Sequence, residues 1–98
     1  MNNKVMIGGI GAATDNSKTH KALIKSFKSI KKVDSISEVF ENNKSYFTVK
    51  YDVEDRFNYS RKDFNVDYDR KIVFISNEGY FPYKNISELK RIVSSFLK

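Results

Sequence analysis

The hydrophobic period of this chain changes near residue 33 and again near residue 85. Between residues 17 and 32, Leu23, Ile24, Phe27 and Ile30 recur at helical spacing, which predicts a helix with one apolar side. Ser17 or Asp15 stands where its N-cap belongs. Upstream, residues 4–10 read as a short apolar strand weakened by Gly8 and Gly9. From Val33 the pattern alternates. Ile36, Glu38 and Phe40 lead to Asn42-Asn43-Lys44, a turn candidate, after which Phe47, Val49, Tyr51 and Val53 alternate with Thr48, Lys50 and Asp52. Residues 35–53 therefore predict an antiparallel hairpin.

Residues 54–63 are polar and carry no clear period. Phe64, Val66 and Tyr68 alternate again, and the unbroken apolar run within Lys71 to Ser76 predicts a strand buried on both faces. Asn77-Glu78-Gly79 reads as a turn. Tyr80-Phe81-Pro82-Tyr83 reads as an aromatic connector, because Pro82 bars a helix there. Asn85 and Glu88 make a capping-box pattern ahead of Leu89, Ile92, Val93, Phe96 and Leu97, which share one helical face. The order is (β)αββ(β)βα. It predicts a single α+β domain over residues 1–98, an antiparallel sheet of three to five strands with an N-terminal basic helix and a C-terminal amphipathic helix packed on it.

Charge sharpens this picture. Residues 1–32 hold seven lysines against one acid, Asp15, while residues 33–98 hold eleven Lys/Arg against eleven Asp/Glu. Lys18, Lys21, Lys25, Lys28 and Lys32 recur at spacings of three, four, three and four, so a helix running to residue 32 aligns them in one stripe away from its apolar side. Fourteen Lys against four Arg is the usage of an A/T-rich coding sequence, and such bias supplies lysine to any solvated face. It accounts less well for the absence of any Asp or Glu from 16 to 33, since an ordinary surface helix mixes signs and gains i,i+4 pairs.

Composition excludes several chemistries. With no Cys there is no disulfide framework and no thiolate zinc site. No apolar run approaches the roughly 18–20 residues that span a bilayer, so no transmembrane segment is expected. Val5 to Ala13 imitates the apolar stretch of a secretory leader, yet it lacks Leu and three of its nine residues are Gly; the expectation is a cytoplasmic protein. The one histidine, His20, has neither a Cys nor a second His as partner, so a solvated or half-packed ring is expected. Gly9-Ile10-Gly11-Ala12-Ala13-Thr14 resembles a dinucleotide loop only in part, because Thr14 occupies the third small position.

Two family resemblances carry further expectations. Asp69-Arg70-Lys71, with Asp52, Asp55 or Asp63 upstream, resembles the nuclease family built around Pro-Asp…(Asp/Glu)-x-Lys, although no Pro precedes a candidate Asp. That resemblance implies carboxylates holding Mg²⁺ beside a lysine. Val5-Met6-Ile7-Gly8-Gly9-Ile10 looks like the first-strand hexamer of the RNA-recognition motif, and Lys44 to Tyr51 partly matches its third-strand octamer. It implies base stacking on Tyr46, a layout covering residues 4–76, and a second helix at 54–63; Met6 and Thr48 replace the other aromatics.

Twelve of the fourteen Phe/Tyr lie between Phe40 and Tyr83, more than one small core encloses at roughly 150–250 Å² per ring. Tyr59, Tyr80, Phe81 and Tyr83 are the expected surface rings. The expectation from sequence is a non-enzymatic binding protein without a cofactor. It docks a polyanion, nucleic acid before membrane, through Lys18, Lys21, Lys25, Lys28 and Lys32. The alternative is a small adaptor or inhibitor, of the compact basic kind common on mobile elements. It would seat Tyr80, Phe81 and Tyr83 on an acidic or nucleic-acid-binding protein. A metal-dependent nuclease using Asp69 and Lys71 is third. An exposed edge strand or aromatic connector would also suit a homodimer.

Overall fold

The computed structural model describes residues 8–52 and 59–97. Among them the order is α1 (Gly8–Lys28), β1 (Val33–Glu41), β2 (Lys44–Asp52), β3 (Tyr59–Asp67), β4 (Ile72–Ile75), β5 (Gly79–Pro82) and α2 (Ile86–Ser95). The strands form one antiparallel sheet in the order β1-β2-β3-β4-β5. This is the α+β architecture that the periodicity predicts.

The hairpin is built by its turn. Asn42 and Asn43 both have left-handed backbones, with φ of 52° and 57°. Positive φ at both central residues is what a two-residue turn needs to match strand twist, and asparagine tolerates it. The register follows, Glu41 opposite Lys44 and Phe47 opposite Glu38, with a shift between Val33 and Ser35. Alternation then sends Ser45, Phe47 and Val49 of β2, and Phe64 and Val66 of β3, to the same buried side.

Both helices cover that side. Phe27 of α1 packs edge-on against Phe47 and tilted against Phe64, each at 5.1 Å between ring centroids. Leu23 beside it, and Leu89, Val93 and Leu97 from the C-terminal segment, complete a core that also takes Val73, Ile75, Tyr68 and Tyr83. Full burial of each Leu, Val or Phe stabilises by about 1.5–3 kcal/mol. Asn85 caps α2 by accepting from the Glu88 amide at 2.9 Å, while the Glu88 carboxylate reaches back to the Lys84 amide at 2.6 Å.

Several local expectations are corrected. The first helix begins earlier than predicted, so Ser17 and Asp15 lie within it and not at its start, and Gly8–Ile10 are helical where a strand was expected. The rest of that expected strand lies outside the described residues, as do Asp55 and residues 54–58 of the polar stretch; its other half, 59–63, is the start of β3 and not a second helix. The helix also ends earlier, at Lys28. Ser29 Oγ bonds the Ser26 carbonyl and the chain tightens through Ile30 N to Phe27 O, turning Ile30 and Val33 back onto the core. β4 is buried on one face only: Val73 and Ile75 enter the core while Ile72 and Phe74 stay half-buried on the other side. The expected aromatic connector is a strand, β5, whose Pro82 sits on the sheet edge where no ladder donor is needed. No helix among the described residues is long and apolar enough to cross a membrane.

Candidate functional site

On the helix, Lys18, Lys21, Lys25 and Lys28 are all exposed. At about 100° per residue they fall within about 80° of arc, centred roughly 150° from His20, Leu23 and Phe27. None of the four makes an ion pair with a described residue. Lys25 and Lys28 occupy the last turn, where a cation favours the helix dipole; Lys18 and Lys21 have no such local reason. Lys32 does not join them. It lies beyond the helix end, half-buried in the turn just before β1, with its ammonium 5.8 Å from the Tyr51 ring centroid. The predicted five-residue stripe is therefore a four-residue face.

The proposed aromatic anchor is divided by strand alternation. Tyr80 is 72% exposed on the side of the sheet away from the helices. Phe81 points to the opposite side and packs on Phe96 at 5.2 Å, and Tyr83 is buried in the core. Burial pushes the Tyr83 phenol up to about 12, with the charges of Tyr68 and Asp67 adding to the effect. The three do not form one exposed surface.

His20 is also elsewhere than expected. It lies three and seven residues before Leu23 and Phe27, a spacing that places it on the apolar side, and it is 5% exposed. Its ring stacks on Phe47 at 4.8 Å and 17°. Nε2 lies 2.6 Å from Glu38 Oε1 and Nδ1 lies 2.7 Å from Ser45 Oγ, which in turn is 2.5 Å from the Tyr68 hydroxyl. In the neutral ring one proton order satisfies all four groups. Tyr68 donates to Ser45, Ser45 donates to Nδ1, and Nε2–H donates to Glu38. A Glu–His–Ser chain is thus assembled, as in a nucleophilic triad. Ser45, however, is 0% exposed, and its oxygen already accepts the Tyr68 proton. The chain ties α1 to β1, β2 and the start of the β3–β4 turn; it presents no nucleophile.

The Asp-x-Lys pattern sits in that same turn. Asp67 Oδ1 accepts the amides of Asp69 and Arg70 at 3.1 Å each, Asp69 accepts Asn43 Nδ2 at 2.7 Å, and Lys71 has φ of 55°. Asp69 is therefore a turn brace. Among the described residues no three His, Asp or Glu stand together as metal ligands; Asp55, one of the upstream candidates, lies outside them.

The sheet face opposite the helices is left uncovered by every described element. Register aligns Val39, Tyr46, Asn65, Phe74 and Tyr80 in one row across all five strands. Phe74 and Tyr80 meet at 5.0 Å and 51°. Beside that row lies a shallow cleft of about 340 Å³, walled by Tyr46, Phe74, Tyr80 and Ile72 and rimmed by Lys44 and Arg70. Tyr46 was legible as a surface ring from its third-strand resemblance; Asn65, Phe74 and Arg70 were not, because they become neighbours only through register. No family model, curated protein or solved structure matches this chain.

Proposed function

We propose that this protein acts by binding, docking a polyanion through the lysine face of α1, with nucleic acid as the first candidate. The observation that supports the reading is the set Lys18, Lys21, Lys25 and Lys28, exposed side by side with no ion pair to any described residue. Like charges at i,i+3 and i,i+4 repel by about 0.2–0.5 kcal/mol per pair, and a row of phosphates relieves that repulsion while releasing counterions. Lysines present point charges without the planar fork that reads bases, so the contact is to backbone phosphate and indifferent to sequence. A membrane surface is the poorer partner. Phe27, the helix's aromatic among its described side chains, is buried in the core and is not free to insert into a bilayer.

Titration of labelled duplex DNA at two salt concentrations tests this. Four phosphate contacts imply roughly a hundredfold loss of affinity from about 50 to about 200 mM salt. Glutamate at Lys18, Lys21, Lys25 and Lys28 together is expected to abolish binding. Affinity that ignores both salt and these substitutions would refute the reading, and stable capture of an acidic protein through the same lysines would replace nucleic acid as the partner.

A further inference from the structure

We infer that the open sheet face is a second, separate site that takes single-stranded nucleic acid, stacking one unpaired base in the cleft between Tyr46, Phe74 and Tyr80. The face lies on the opposite side of the sheet from α1, so this inference does not depend on the lysine face. Its physical basis is a combination that solvent exposure alone leaves unexplained. Tyr80 is 72% exposed, and Tyr46 and Tyr59 are 37% and 51% exposed. All three are on this one face, by the register that pairs Tyr46 with Asn65, Phe74 with Tyr80, and Asp52 with Tyr59. A cleft of about 340 Å³ lies at the small end of the roughly 300–1,000 Å³ typical of ligand pockets, a size suited to one base.

Charge selects the occupant. Lys44 and Arg70 line the cleft, two cations against the one acid Asp67. Lys44 has no ion pair with a described residue, and Arg70 has only a 3.8 Å contact with Asp67. Six residues along β2, roughly 20 Å away, Lys50 lies 4.6 Å over the Tyr59 ring centroid, with Arg61 opposite it in register. A strand laid along β2 thus meets cations at both ends and aromatic faces beside each pair. Two of the acids on this face are already engaged, Asp63 accepting the Thr48 hydroxyl at 3.0 Å and Asp67 accepting two turn amides, while Glu41 stands opposite Lys44 and Asp52 opposite Tyr59. Asn65, between Tyr46 and Phe74, makes no hydrogen bond with a described residue through its side chain, so its amide has both donors and an acceptor for a base edge. An apolar protein surface would bury Asn65, Lys44 and Arg70 without partners. A duplex keeps its bases inside and cannot use the aromatic wall. Every base has a π-face, so the site tolerates many sequences.

The test is a fluorescence-anisotropy titration of the full chain with a labelled oligothymidylate of about 16 nucleotides. A duplex of equal length and free thymidine monophosphate serve as competitors. Because the chain has no Trp, intrinsic tyrosine emission reports stacking directly. The expected result is binding accompanied by tyrosine quenching. The double variant Tyr46→Ala/Tyr80→Ala should lose at least about tenfold in affinity, and Tyr46→Phe/Tyr80→Phe should restore it. Glutamine at Lys18, Lys21, Lys25 and Lys28 should leave the quenching in place, which separates this site from the lysine face. Equal binding by the alanine variant with an unchanged melting temperature would overturn the inference. So would loss of the tyrosine quenching on adding duplex or monophosphate at oligonucleotide concentrations. Self-association lost on Tyr46→Ala/Tyr80→Ala would also overturn it, showing that a second copy covers the face. Tyr80→Ala alone, at the most exposed of these rings, gives a variant that leaves the core untouched.

Discussion

His20 reaches Ser45 across twenty-five residues, with Nδ1 2.7 Å from Oγ in a buried setting. That bond, with the Glu38 and Tyr68 contacts on either side, is the main polar tie between the first helix and the sheet. Ser45→Ala removes the acceptor for the Tyr68 hydroxyl and the donor for the ring, so it should destabilise by about 1–3 kcal/mol. His20→Ala also loses the stack on Phe47 and should cost at least as much. Urea unfolding of the two variants measures this; a loss below about 0.5 kcal/mol for both would mean that water replaces the network without penalty.

The β1–β2 turn is predicted to separate backbone from side-chain effects. Asn42 and Asn43 share a positive φ, but Asn43 alone bridges Asn16 and Asp69 through its side chain. Asn42→Gly keeps the turn geometry and should change stability by no more than about 0.5 kcal/mol. Asn43→Gly keeps the same geometry and should lose about 1–2 kcal/mol through its two hydrogen bonds. Equal effects in thermal melts would remove the bridging role.

Alkaline pH is expected to weaken the fold through Tyr83 and Tyr68. Burial raises both phenols, Tyr83 to about 12, with the hydrogen bond between Tyr68 and Ser45 partly opposing the rise at Tyr68. A phenol whose folded value is raised contributes stability in full below its unfolded value of about 10. That contribution is lost as pH climbs toward the folded value. Stability should therefore hold up to about pH 10 and fall between there and about 12. Tyr83→Phe should move the alkaline transition upward. Tyrosinate absorbance followed against pH, in parallel with circular dichroism, checks the order of events; ionisation of all six tyrosines near 10 without unfolding would refute it.

Stability and binding should move in opposite directions on the lysine face. Lys21→Glu places an acid four residues before Lys25 and three after Lys18, converting repulsion into attraction, and should stabilise the helix by about 0.5 kcal/mol. The same change should weaken duplex DNA binding several-fold at low salt. Parallel melting and titration experiments decide the matter; a variant that gains stability and binds undiminished would argue that the lysines are only a solvated face.

The α2 cap offers a final check on local structure. Asn85→Ala removes the acceptor for the Glu88 amide and should cost about 1 kcal/mol. Asn85→Asp should retain most of it. Denaturant midpoints for the pair would show whether the cap acts as the geometry indicates.

Local physics alone determined much of this protein. The helical spacing of Leu23 and Phe27, the Asn42-Asn43 turn, the alternation of Phe47 and Val49, and the Asn85 cap each depend on residues a few positions apart. They are therefore written legibly in the chain, and with them the α+β class. What only tertiary structure decided is which side chains meet. Strand alternation sent Tyr80, Phe81 and Tyr83 to different environments, although they are adjacent in sequence. The return of Ile30 and Val33 to the core ended α1 and removed Lys32 from the lysine face. The His20–Ser45–Tyr68 chain and the row of Tyr46, Asn65, Phe74 and Tyr80 join residues far apart in sequence. Their contact depends on cross-strand register and helix docking, and burial of the whole core sets both at once.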